Sequence, residues 1–96
     1  MNDRMRNMPK TCPSCGGVLE ILAMHCRNCD TRIEGHYALP LIMQLSDEEQ
    51  RFVLDFILCS GSLKEMARQL GVSYPSVRNR LDQIISQLQL LKTRLL

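Results

Sequence analysis

Apolar positions along this chain follow two different periods. In the first third, VLEILAMH is a short apolar run of strand length. After it, Ile33, Gly35 and Tyr37 alternate with Arg32, Glu34 and His36, the two-residue repeat of a half-buried strand. From residue 46 the repeat lengthens to that of a helix. Phe52, Val53, Phe56 and Ile57 form one buried stripe, and Leu63, Met66, Ala67 and Leu70 form a second at i, i+3, i+4 and i+7. Val77, Leu81, Ile84, Leu88, Leu91 and Leu95 continue as a third and much longer stripe.

The punctuation between these stripes predicts where each helix begins and ends. Ser46 stands three residues before Glu49, a capping box, and Asp47 and Glu48 complement the positive end of a helix dipole. Ser60-Gly61 stops that helix. Ser62 and Glu65 repeat the box, and Gly71 ends the second helix. Ser73 can cap the third, where Pro75 is tolerated because a first turn has no N–H to donate inward. The apolar linker ALPLIMQL is unlike a flexible tether, and its Leu39, Leu41, Ile42, Met43 and Leu45 are expected to pack the first module onto the helical segment after it. The expected organisation is a ribbon over residues 1–38, an apolar linker over 39–45, and a helical domain over 46–96. This is a small α+β chain of short β hairpins followed by an all-α domain with a long C-terminal helix.

Composition adds a constraint on stability. The chain has 96 residues, 45% of them apolar, with two Phe, two Tyr and no Trp. So small a core stabilises a chain only marginally unless metal or oligomerisation assists. No run approaches the ~18 apolar residues of a membrane span, and the polar start MNDRMRNMPK lacks the apolar stretch of a secretory signal. A cytoplasmic protein without a membrane segment is expected.

The cysteines carry the strongest chemical signal. Cys12, Cys15, Cys26 and Cys29 form two C-x-x-C pairs, in CPSCG and CRNCD. A two-residue gap lets both sulfurs of a pair reach one ion while the intervening N–H groups point at the thiolates, and two such knuckles complete a closed tetrahedral shell. Gly16 and Gly17 suit the exit of the first knuckle, where positive φ is needed; Asp30 stands at the first of those positions in the second. One structural Zn2+ per chain is expected, since four thiolates leave no open position for catalysis. His25 and His36 then read as ordinary surface or strand residues, and Cys59 as a small hydrophobe on a helix. Disulfides would suit a secreted chain, which nothing in the sequence indicates.

Charge is uneven. The formal net charge is +2, and four thiolates around zinc would bring the whole close to neutral. Residues 41–72 carry a net −2, whereas residues 73–96, with Arg78, Arg80, Lys92 and Arg94 against Asp82, carry a net +3. The positive charge therefore sits on the last helix.

Ala67, Gly71 and Val77 supply the grammar of a helix-turn-helix: a small residue for close approach, a glycine for the turn, and a plug from the second helix into the first. Here the sequence resembles Fis-type DNA-binding domains, through ARQLGVSYPSVRNRL, and the promoter-reading C-terminal domain of sigma factors, through LSDEEQRFV and EMARQLGVS. With its ribbon first and GSLKEMARQLGVSYPSVRNRLD second, the whole chain resembles a small prokaryotic family of unknown function. The resemblance implies a zinc ribbon joined to a helix-turn-helix and a regulatory role.

In such a motif the helix starting near Tyr74 enters the major groove. Tyr74, Ser76, Arg78, Asn79 and Arg80 are the expected DNA-binding residues. Asn79 suits an adenine edge and Arg78 a phosphate or guanine, while Arg80, nearer the buried side, reaches a phosphate only by extending its stem. Leu81, Ile84, Leu88, Leu91 and Leu95 follow the 3-4 spacing of a coiled-coil seam and are expected to form a homodimer interface. No serine elbow, phosphate-cradling glycine loop or catalytic pair occurs, so an enzyme is not expected. The chain reads as a zinc-containing transcriptional regulator that binds duplex DNA. The alternative is an adaptor that binds RNA polymerase or another transcription component through the ribbon or the sigma-like helices.

Overall fold

Two turns of the same construction open the computed structural model, which describes residues 8–95, excluding the side chain of Leu95. Cys12 N donates to Gly17 O (2.7 Å) and Gly16 N returns to Cys12 O (2.8 Å); Cys26 N donates to Thr31 O (2.8 Å) and Asp30 N returns to Cys26 O (2.8 Å). The residue closing each turn lies in the left-handed region, Gly16 at φ 77° and Asp30 at φ 63°. Glycine adopts that region freely. Aspartate is one of the few other residues that tolerate it, because its short polar side chain can bond locally. Here the Asp30 carboxylate lies 2.9 Å from His25 Nε2.

The first turn is flanked by a bridge between Thr11 and Val18. The second joins β1 (Ile21–His25) to β2 (Arg32–Tyr37), an antiparallel pair with Met24 opposite Ile33, His25 opposite Arg32, and a bulge between Ile21 and Ala23. The strands form as their pattern predicts, but Ile33 and Tyr37 are not half-buried as expected: they remain 49% and 40% exposed. The reason is that a two-stranded hairpin has no second layer of its own to cover a face. Tyr37 folds back over Gly35, where a Cβ would come within 2.9 Å of its ring. The apolar linker contributes a short 3-10 turn at Leu41–Gln44, with Gln44 Nε2 bonded to Leu39 O at 3.0 Å.

The chain divides into two units, one ending at Gln44 and the other beginning at Leu45. The second is helical. α1 (Asp47–Leu58) starts at Ser46 with both bonds of the capping box: Glu49 N donates to Ser46 Oγ (3.1 Å), and Ser46 N to Glu49 Oε1 (2.9 Å). α2 (Leu63–Leu70) starts at Ser62, whose Oγ accepts from Glu65 N, and ends at Gly71 at φ 68°. α3 (Tyr74–Leu95) begins after the short turn. Phe52, Leu63, Met66, Ala67 and Val77 are buried, Met66 and Val77 at 1% exposure.

Two residues of the expected stripes depart from them. Ile57 is 65% exposed, because it lies ~140° around α1 from Phe52, the residue at the centre of the buried face. Leu70, the last residue of α2, is also exposed.

Candidate nucleic-acid interface and metal centre

The turn between α2 and α3 is built by backbone bonds that only a left-handed residue permits. Gly71 N–H reaches the carbonyls of Ala67 and Arg68, and Val72 N reaches Ala67 O at 3.1 Å. The chain thus reverses within three residues, and Ser73 Oγ accepts from Ser76 N (3.3 Å) to start α3. Val77, one turn in, is buried against the preceding helix region, so the opposite side of α3 faces solvent.

Among the expected contact residues, Tyr74, Ser76, Arg78 and Asn79 are exposed at the start of α3. The Ser76 hydroxyl is 2.9 Å from Ser73 Oγ, and Arg78 Nε lies 3.4 Å from Asp82 Oδ1, a loose pair on the surface. Such a pair is weak in water, which leaves Arg78 able to exchange a carboxylate for a phosphate.

Arg80, the fifth of the expected contact residues, is exposed as well. Its guanidinium stacks over the Phe52 ring at 5.1 Å from the centroid. It lines a cleft of about 240 Å³ with Glu48, Arg51, Asp55 and Leu70. Arg80 comes three residues after Val77, so its stem leaves α3 on the side from which it reaches the Phe52 ring of α1. The stacking joins α3 to α1, while Arg80 itself stays exposed. The sequence carried that signal in the i+3 spacing from the plug residue, but not the identity of the aromatic partner. A second cleft, mostly apolar, is formed by Leu70, Val72, Ser76, Val77 and Arg80 beside the turn.

The leucine stripe of α3 is divided. Ile84 (3%) and Leu91 (7%) are already buried within the chain, and Leu81 and Leu88 are half-buried. The fifth residue of the expected seam, Leu95, lies outside the described side chains.

On α2, Arg68 clasps Glu65 through two nitrogens and Gln69 adds a third bond at 3.2 Å. The Arg68 guanidinium holds the Glu65 carboxyl below the usual carboxylate range and is itself raised by that pairing.

In the ribbon, each knuckle favours the charged form of one sulfur, Cys12 in the first and Cys29 in the second. Backbone N–H groups of Cys15 and then Ser14, with the Cys15 thiol, hold the Cys12 thiol below its ordinary value; Ser14 N lies 3.4 Å from Cys12 Sγ. The Thr31 hydroxyl, 3.0 Å from Cys29 Sγ, is the main cause of a lowered Cys29, followed by the Thr31 N–H and the Cys26 thiol. Thiols held toward thiolate by N–H and O–H donors are the chemistry that zinc requires. Two knuckles of this kind fit one such ion as donors. Among the described residues, however, no three Cys, His, Asp or Glu side chains converge to metal-binding distance. His25 and His36 are engaged elsewhere, with Asp30 and with Glu20 at 2.8 Å.

Comparison with known proteins accords with both halves. Residues 12–42 match the family described as "DUF2089 zinc ribbon", and residues 45–91 the one described as "Domain of unknown function (DUF2089)-HTH". The chain is also similar to the transcriptional regulatory protein TdiR of Thauera aromatica, 36% identical over 72 residues, which is 75% of this chain and 31% of the relative. The chain therefore spans about a third of that regulator's length. No solved structure matches. Among the described residues no helix is long and apolar enough to cross a membrane.

Proposed function

Because the chain belongs to the DUF2089 family, in which a zinc ribbon precedes a helix-turn-helix, we propose that it is a non-enzymatic, dimeric transcriptional regulator of the cytoplasm that reads duplex DNA through the start of α3. The observation that carries this reading is the exposed row Tyr74, Ser76, Arg78 and Asn79, presented by a Gly71 turn on the segment with the largest net positive charge. The relative named as a transcriptional regulator supports it.

In this reading α3 lies in the major groove with its N-terminal turn inward. Asn79 offers the donor and acceptor pair that matches an adenine edge, and Arg78 exchanges Asp82 for a phosphate or a guanine. Tyr74 and Ser76 contact backbone at the helix start, where N–H groups also favour anions. Arg80, nearer the buried side and stacked on Phe52, reaches a phosphate only by extending its stem. Cys12, Cys15, Cys26 and Cys29 hold one zinc per chain. Bound there, the ion supplies the cross-link between the two knuckles that a hairpin this exposed cannot supply by packing.

A binding experiment tests the reading. Genomic fragments retained by the purified protein should share a short motif, and affinity should fall with rising salt. Absence of binding at both low and moderate salt would leave the adaptor function in its place. One observation favours that second reading: Leu22, Met24 and Ile33 are each about half exposed on the hairpin, an apolar surface suited to a transcription component such as RNA polymerase.

A further inference from the structure

The apolar cleft beside the turn has a make-up that the helical core does not require. Leu70 and Val72 stand half exposed around it, buried Val77 lines it from the core, and Ser76 and Arg80 bring its polar groups. Its volume is about 290 Å³. Apolar walls with one or two placed polar groups are the usual composition of a small-molecule site, and this volume lies at the small end of such sites.

The polar groups decide the charge of a ligand. Arg80 is the one ionised residue among those lining the cleft. Its guanidinium meets the Phe52 ring, which leaves N–H groups along its edge, and among the described residues it belongs to none of the salt bridges. The Ser76 hydroxyl lies 2.9 Å from Ser73 Oγ and keeps the capacity for a further bond. A fork of N–H donors with a hydroxyl beside it suits a carboxylate. The neighbouring cleft also contains Leu70 and Arg80, but it is a poorer place for an anion because Glu48 and Asp55 line it.

We propose that the cleft formed by Leu70, Val72, Ser76, Val77 and Arg80 binds a small amphipathic monocarboxylate. The apolar body lies on Leu70, Val72 and Val77, and the carboxylate on Arg80 and Ser76. A closed apolar cavity of about 150 Å³ holds a benzene ring, so this cleft has room for a chain of about six carbons with its head group. One consequence rests on the DNA-binding reading above. A negative charge held beside Ser76, at the start of α3, repels the phosphates that the same segment would approach, so the acid lowers affinity for duplex.

Hexanoate is the probe, with hexanol and hexylamine as its uncharged and cationic counterparts. Titration of the full chain, followed by amide resonances, should give saturable shifts at Val72, Ser76 and Val77 with hexanoate. Hexanol should bind roughly tenfold more weakly or worse, as expected for loss of a charged hydrogen bond, and hexylamine not at all. Arg80→Gln should bring hexanoate down to the level of hexanol. Val72→Glu, at an exposed position, should abolish hexanoate binding with the helical circular dichroism kept. Shifts that fail to saturate, that are equal for the alcohol, or that centre on exposed Leu54, Ile57 and Leu58 of α1 would overturn the site. Saturating hexanoate should also weaken duplex binding severalfold, and unchanged duplex affinity with the acid bound would overturn the regulatory consequence. A protein that never binds duplex would overturn the DNA-binding reading instead, while the hexanoate titration decides the site by itself.

Discussion

The ribbon and the helical unit are held together by different physics. Between Thr11 and Tyr37 almost every side chain is exposed, and order comes from backbone bonds in two matched turns and one two-stranded ladder. Between Leu45 and Leu91 order comes from burial: Leu45, Phe52, Leu63, Met66 and Val77 are removed from water, and each helix start is capped by a serine. A hairpin of that kind is marginal by itself, whereas three capped helices around a shared core are not. One sequence thus contains a half ordered chiefly by backbone bonds and a half ordered chiefly by burial. The difference explains why the cysteines can be spaced so regularly while the ribbon's apolar residues remain few and uncovered.

The largest expected effect comes from taking the ion away. Cys26→Ser, or chelation of zinc, should abolish dispersed amide resonances of residues 11–37 while leaving most of the helical circular dichroism signal. Metal analysis of untreated protein should give one zinc per chain. Joint collapse of both halves would show that the contrast between them is wrong. Met66→Ala is the reciprocal cut. It empties a side chain that is 1% exposed at the centre of the helical unit and should cost about 2 to 5 kcal/mol, with zinc content unchanged.

Within the helical unit the two arginines flanking Asn79 should separate. Arg78→Ala should weaken binding to all duplexes and lower the slope of log affinity against log salt by about one. Asn79→Ala should change selectivity at one base pair by about 1 to 3 kcal/mol. Arg80→Ala should instead lower thermal stability by about 0.5 to 1 kcal/mol, with the salt slope unchanged, because its partner is the Phe52 ring.

The smallest expected effect is a pH dependence confined to the helices. Arg68 depresses the Glu65 carboxyl in the folded state, so the unfolded chain takes up a proton there first as pH falls. The stabilisation is present above the ordinary glutamate value and is lost as pH drops through the lower folded one. Both side chains face water, so the contribution is slight. Comparing acid melts of wild type with Glu65→Gln should show a shallower acid limb in the variant.

Much of this protein was determined locally and could therefore be read along the chain. The capping serines, the stop at Gly71 and the paired cysteines act over four residues or fewer, so spacing alone identifies them. The matched positive φ of Gly16 and Asp30 belongs to the same class, since a knuckle of this length needs a left-handed residue at its exit. Which face of each element meets something else was decided only by the tertiary structure. Periodicity gave Ile57 and Leu70 the same standing as Phe52 and Met66, yet the packing direction of α1 and the end of α2 leave the first two in solvent. It equally read Leu81 to Leu95 as one seam, where burial within the chain separates Ile84 and Leu91 from their neighbours. Arg80 and Phe52 are 28 positions apart in the sequence, and no local rule brings a guanidinium to that ring. A side chain's period is a property of its own helix, but its burial depends on the angle at which another helix arrives, and that angle is set by all the contacts at once.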